Sequence, residues 1–166
     1  MNLVIIDLET SGLDPLVHEI LEIGAVRAAD GAEFEVKVWP LRKVDPEAAK
    51  VNGYTPEKWR EEAFLLPQAL KLLAEFVGTD AYMTAYNVSF DRPFLEKAYR
   101  DCNLPYPFHY RHLDLMTLAW AKSIFGLPPS LKEACDIFNV PPESEVHRAL
   151  NGAQCAHGLY QKFNQK

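Results

Sequence analysis

The stretch Leu3-Val4-Ile5-Ile6-Asp7-Leu8-Glu9-Thr10 decides how the rest of the chain is read. Side chains alternate faces along a strand. Leu3, Ile5, Asp7 and Glu9 therefore share one face, while Val4, Ile6 and Leu8 share the other. A run that is apolar on both faces is the pattern of a strand covered on both sides, near the centre of a sheet. Its two acids stand at i and i+2, where they repel each other and resist leaving water. A divalent cation between them relieves both costs, and Mg²⁺ is usually held by one or two carboxylates together with substrate phosphates. The same residues also suit a strand running out into the polar turn Thr10-Ser11-Gly12. This stretch alone leaves both readings open.

Outward from it, Gly12-Leu13-Asp14-Pro15 is turn chemistry. Residues 19–27 read as a second strand and Ala29-Asp30-Gly31 as a tight turn. Residues 33–39 read as a third strand, with Phe34, Val36 and Val38 alternating against charged neighbours. These three strands form an antiparallel meander. Helices are expected over Pro46–Asn52, with Asp45 as N-cap and Gly53 as stop, and over 67–77, with a helical turn at Thr55-Pro56-Glu57 between them. A fourth strand over 81–86, a helix over 93–101, a short strand over 110–113 and a helix over 114–124 follow. Ser130 caps a small helix over Leu131–Phe138. The last helix is expected from about 146 towards 163, its apolar face running from Val146 through Ala149, Ala153 and Ala156 to Tyr160 and Phe163. A meander followed by alternating helices and strands predicts an α/β domain, a mixed sheet flanked by helices with the first strand near its centre.

Of 166 residues, 48% are hydrophobic and 24% charged, which suits one globular domain over 1–166 with a sizeable core. The net charge of −6 argues against broad gripping of duplex phosphates. Any nucleic-acid contact is expected to be local, short or assisted by metal ions. Cys102, Cys135 and Cys155 are odd in number and form no C-x-x-C pair, which predicts free thiols in a reducing compartment. No leader and no run long enough to span a membrane stands out. The expectation is a soluble, cytoplasmic protein without a membrane partner.

Two further places carry candidate chemistry. Asp91, within Asn87-Val88-Ser89-Phe90-Asp91-Arg92-Pro93-Phe94-Leu95, follows a buried strand and enters the first turn of a helix. Taken alone, it fits an acid placed for the helix dipole at least as well as a ligand. His147, in Val146-His147-Arg148-Ala149-Leu150-Asn151-Gly152-Ala153, stands near a helix start. An imidazole there suits general-base work, and equally a capping or surface role.

Together, Asp-x-Glu on the first strand, Asn-x-x-x-Asp before a middle helix and His-Arg-Ala-Leu late in the chain come in one order. This set resembles the DEDDh, or DnaQ-like, 3′–5′ exonucleases, the family of polymerase proofreading subunits and related DNA and RNA trimmers. Asp7 to Leu13, Glu22 to Val26, Asn87 to Leu95 and Leu113 to Ala119 carry the likeness. It spans residues 2 to about 160. The resemblance implies an RNase H-like fold with a five-stranded mixed sheet, and hydrolysis of phosphodiesters from the 3′ end of single-stranded nucleic acid, DNA favoured. It implies two ions, Mg²⁺ or Mn²⁺, held by Asp7, Glu9 and Asp91, with Asp7 bridging. His147 would take the proton of the attacking water. Thr10, Leu13, Asn87 and Phe90 would contact the terminal nucleotide. A DNA polymerase or another nucleic-acid-processing protein is the implied protein partner.

One position departs from the family. Its last motif places an Asp five residues after the His, and here that residue is Gly152. Asn151 is neutral and about 100° away around a helix, so it is no simple stand-in. Glu145 precedes the helix and is a remote candidate. The loss predicts a weakened ion site, reduced activity or a need for high Mn²⁺, with substrate binding kept. The alternative is a catalytically silent exonuclease fold that binds nucleic-acid ends or a polymerase or nuclease partner. Trp39, Trp59 and Trp120 read as packing, Asp114 as a helix cap, and His109 and His112 as residues without a metal partner set. Lys43, Lys50, Lys58 and Arg60 read as solvated surface.

Overall fold

The computed structural model describes residues 1–123 and 126–164. Five strands form one sheet: β1 (Asn2–Thr10), β2 (Ile20–Arg27), β3 (Glu33–Lys37), β4 (Ala81–Ala85) and β5 (Phe108–Asp114). Their order is β3-β2-β1-β4-β5, so β1 is central, as its apolar pattern requires. β1, β2 and β3 pair antiparallel, whereas β4 lies parallel to both β1 and β5.

The two faces of β1 meet different helices. Val4, Ile6 and Leu8 join the larger core with α3 (Leu66–Val77) and α4 (Val88–Asp101) through Leu70, Leu73, Phe94 and Leu95. Ile5, on the face of Asp7 and Glu9, packs with Leu115 of α5 (Leu115–Lys122) and with Ala153 and Ala156 of α7 (Ala149–Asn164). Small residues let α7 lie close to the sheet. Gly24, the register partner of Asp7, makes this approach possible. A methyl group there would stand 2.1 Å from the Ala149 carbonyl carbon and 2.2 Å from the Leu150 nitrogen.

The smaller elements follow their caps. α1 (Pro46–Asn52) starts after Asp45 and stops at Gly53, whose φ of 68° is left-handed. α2 (Pro56–Arg60) is capped by Thr55, and α6 (Leu131–Phe138) by a reciprocal Ser130–Glu133 capping box. Asp114 caps two helices: it accepts from Thr117 N of α5 at 2.7 Å and from Val88 N of α4 at 2.9 Å. Trp59 is fully buried and donates to the Leu21 carbonyl at 3.0 Å.

Several expected boundaries move. α4 begins at Val88 and not at Pro93, which lies inside the helix. Asn87 adopts a left-handed φ of 67°, and the helix starts directly from it. α7 begins at Ala149, so Val146, half exposed, is not on its buried face. β3 ends at Lys37, after which Val38 bridges to Phe64. α5 ends at Lys122, and the expected end at Ile124 lies outside the described residues. Among the described residues no helix is long and apolar enough to cross a membrane.

Candidate metal centre and nucleic-acid site

The C-terminal half of β1 delivers Asp7 and Glu9 to the face beneath α7. Asp91 arrives from the opposite face: it is 3% exposed, and its Oδ1 accepts the Leu8 backbone N–H at 3.1 Å. That bond ties the first turn of α4 to β1 between the two acids. His147 lies on the coil between α6 and α7, two residues before the helix. Its backbone N–H donates to the Val51 carbonyl at 3.1 Å, which joins the coil to α1. Asp7, Glu9, Asp91 and His147 all line one cavity of 560 Å³. Thr10, Leu13, Asn87 and Phe90 line it too, and Glu47, Ala48 and Val51 of α1 form part of its wall. The Thr10 hydroxyl is engaged within its own turn, donating to the Gly12 carbonyl at 2.8 Å.

The cavity is short of positive charge. Burial pushes the Asp7 carboxyl well above the usual range, and the Asp91 and Glu9 charges add to it. Burial likewise raises Glu9 to about 8, with Glu143 and Glu22 adding to the shift and Arg148 and the Asn52 amide opposing it. Asp91 is raised to about 8, again by burial first. Arg148, adjacent to His147, is turned to other partners. Its Nη2 lies 2.6 Å from Oε1 of the fully buried Glu22 and 3.4 Å from Glu35. Buried carboxylates facing one another without a cation suit a bound divalent ion, and the donor set fits Mg²⁺ or Mn²⁺.

The ligand geometry differs in detail from the expected set. Among the described residues, the group whose ligand atoms all lie within 4.8 Å of one another is Glu9, Glu143 and His147. Asp7 and Asp91 line the same cavity but do not belong to that group. The Asp7 carboxylate instead lies against Gly152, where a Cβ would stand 2.5 Å from its Oδ2. The space of a side chain at 152 is thus taken up by Asp7. Asn151 turns away, accepting from Ser144 N at 2.7 Å. Glu145 is exposed and does not line the cavity, whereas Glu143 does. Sequence reasoning missed Glu143. Its one local signal is a place four residues before His147, and Oε2 lies 3.8 Å from Nδ1 of that ring.

Among the described residues, His109 and His112 belong to no group placed to hold a metal ion. The His109 ring lies tilted against those of Tyr82 and Tyr110, and His112 Nδ1 lies 2.8 Å from Arg92 Nη1.

The family model RNase_T, described as Exonuclease, matches residues 4–160. The chain belongs to this exonuclease family. One relative of this chain is the PolC-type DNA polymerase III of Thermotoga maritima. It is 31% identical over 171 residues, which cover 96% of this chain and 12% of that protein. The DNA polymerase III epsilon subunit of Pasteurella multocida is 27% identical, over 95% of this chain and 66% of the subunit. The chain thus spans about an eighth of the first and just under two thirds of the second. Among solved structures, E. coli exonuclease I in complex with a dT13 oligonucleotide superposes with a TM-score of 0.81 at 17% identity. That match covers 96% of this chain and 40% of exonuclease I, and it establishes the shared RNase H-like fold.

Proposed function

We propose that this family member is a divalent-metal-dependent 3′–5′ exonuclease. It would act on single-stranded nucleic acid, DNA favoured, and release nucleoside monophosphates. The observation that carries the reading is the cavity at the end of β1, where Asp7, Glu9, Asp91 and His147 come together without a cation to balance the acids. Support also comes from the relatives: one is a DNA polymerase III subunit by name, and exonuclease I is described with an oligonucleotide.

In this reading Asp7, Glu9 and Asp91 hold the ions, Mg²⁺ or Mn²⁺. Ions held there would supply Lewis-acid chemistry, lowering the pKa of a water and steadying the leaving oxygen. His147 takes a proton at a ring nitrogen, and its half-exposed side chain leaves that proton a way out to solvent. Leu13, 82% exposed at the cavity rim, and Phe90 offer apolar contact to a terminal base, while Asn87 offers polar contact. The family's polymerase setting makes a polymerase or a related processing protein the proposed partner.

Gly152 favours a second reading, a fold that binds 3′ ends without cutting them. The two separate on a 5′-labelled oligonucleotide with a free or blocked 3′ end, incubated with Mg²⁺ or Mn²⁺. Stepwise shortening from the free end, lost in Asp7→Ala, supports the enzyme. Binding without shortening, with shortening gained in Gly152→Asp, supports the silent module. Neither binding nor shortening by either form ends both readings.

A further inference from the structure

We propose that the bulged outer edge of β5 is a docking surface for single-stranded nucleic acid, carried by Tyr82, His109, Tyr110 and Arg111. β5 is an edge strand of the sheet. Its pairing with β4 jumps from Ala81–Phe108 to Met83–His112, which leaves residues 109–111 opposite Tyr82 alone. The extra residues swing outward, and Tyr110 is 66% exposed. The rings of Tyr82, His109 and Tyr110 follow one another, with centroids 4.7 and 4.3 Å apart. The guanidinium of the exposed Arg111 lies 5.3 Å from the Tyr110 centroid. The bulge itself holds the His109 ring in place, since its Nδ1 accepts the Arg111 backbone N–H at 3.1 Å.

Charge and shape select the occupant. The chain carries a net charge of −6, yet residues 108–113 include no acid. Among the described residues Arg111 makes no ion pair. The neighbouring Glu96 is taken up by Arg92 Nε at 2.6 Å. A row of rings ending in an unpaired guanidinium suits successive bases and a phosphate beside them. A peptide strand fits poorly, because the bulge breaks the row of edge N–H and C=O groups that strand addition needs. The edge is also joined to the cavity. Arg92, next to Asp91, donates from Nη1 to the Tyr110 carbonyl at 3.1 Å. Tyr82 pairs in register with Leu3, four residues before Asp7, and β5 is two strands from β1. At ordinary strand dimensions that is about 13 Å along the sheet and about 10 Å across it. Such a span equals about five nucleotides at the duplex rise, and fewer in an extended strand. A longer strand with its 3′ end in the cavity therefore spans the gap to the edge. That use alone rests on the nuclease reading.

The test is fluorescence anisotropy of the full chain, in chelator, with a 5′-labelled oligothymidylate of about 20 nucleotides. Tyr110→Ala is expected to weaken binding at least about fivefold, the low end for one lost base stack. Arg111→Ala is expected to weaken it and to lower the log–log salt slope by about 0.7, the loss of one phosphate contact on a single strand. Arg111→Lys should keep the slope. Lys71→Ala, which removes an exposed charge from α3, is expected to bind as the parent does. Tyr110 and Arg111 are both exposed, and circular dichroism checks that each variant folds. No binding by the parent overturns the proposal. Binding unchanged in both edge variants overturns it too, and leaves the edge to a protein partner. So does an equal loss in Lys71→Ala, since the charge then acts from anywhere. With Mn²⁺ added, cutting of an oligothymidylate of about three nucleotides should be the same in Tyr110→Ala, because so short a strand cannot reach the edge. A matching loss on the short strand overturns the proposal, since the substitution then acts on the cavity. Absence of cutting with edge binding intact overturns the nuclease reading and leaves this surface standing.

Discussion

Gly152 of α7 and Asp7 of β1 are in direct contact: a Cβ on the glycine would stand 2.5 Å from Asp7 Oδ2 and 2.7 Å from Cγ. A side chain at 152 therefore needs the Asp7 carboxylate to swing aside. For Gly152→Asp the helix gains a few tenths of a kcal/mol in propensity. Against this, the cavity receives another acid beside Asp7, Glu9 and Asp91. Without metal, the substitution is expected to destabilise the protein by about 1–3 kcal/mol, or roughly 2–12 °C at this chain length. Added Mn²⁺ should restore most of the loss. Paired thermal melts in chelator and in Mn²⁺ measure both.

The raised carboxyls set the pH dependence of stability. Glu9 moves from 4.5 to about 8 and Asp91 from 3.8 to about 8. Between those limits the folded state holds protons that the unfolded state has released. Stability from these groups is then fully present below the unfolded values and falls as pH rises through the folded ones. Metal-free protein should melt highest near pH 5 and lose several degrees by pH 8. A saturating divalent ion should flatten that slope, because it stabilises the ionised forms. Melting curves from pH 5 to 8.5, with and without Mn²⁺, test the sign.

Function and stability should part company at Asp91. Its Oδ1 accepts the Leu8 N–H, and an amide oxygen can do the same. Asp91→Asn is expected to keep that bond and remove one buried like charge. Metal-free stability at pH 8 should stay level or rise by about 1 kcal/mol. Cleavage should fall at least about tenfold. Urea denaturation and a cleavage assay on the same preparation give both readouts.

Gly24→Ala tests the seating of α7. The added methyl would meet Ala149 and Leu150 backbone atoms at 2.1–2.2 Å, and backbone cannot rotate away as a side chain can. Overpacking of this kind costs about 1–3 kcal/mol or more. Urea denaturation should show that loss, with weakened oligonucleotide binding because His147 is positioned just before the same helix.

These contacts mark where sequence reading succeeded and where it stopped. The central place of β1 was legible because its apolar residues cover both faces, and the pairing of Asp7 with Glu9 followed from strand alternation. Asp114 was legible as a cap, since an acid before an apolar run has that local chemistry; its second bond, to Val88, joins residues 26 apart and had no local trace. Pro93 was misleading. Proline commonly opens a helix, but here α4 starts five residues earlier from a left-handed asparagine. Glu143 lies in a Pro-Pro-Glu-Ser-Glu coil that carries no periodicity, and only the folding of that coil over β1 brings it to Glu9. The departure at Gly152 was visible in the chain, but its contact with Asp7 depends on how α7 crosses the sheet.

The most direct test is a Mn²⁺ titration of 3′-end shortening on a 5′-labelled single-stranded oligonucleotide. If Asp7, Glu9 and Asp91 hold the ions and Gly152 has cost the site a carboxylate, the chain should need at least about tenfold more Mn²⁺ than Gly152→Asp for half-maximal rate. Asp7→Ala should show no shortening at any concentration. Full-rate shortening by Asp7→Ala, or none by either form at any Mn²⁺, would contradict the account.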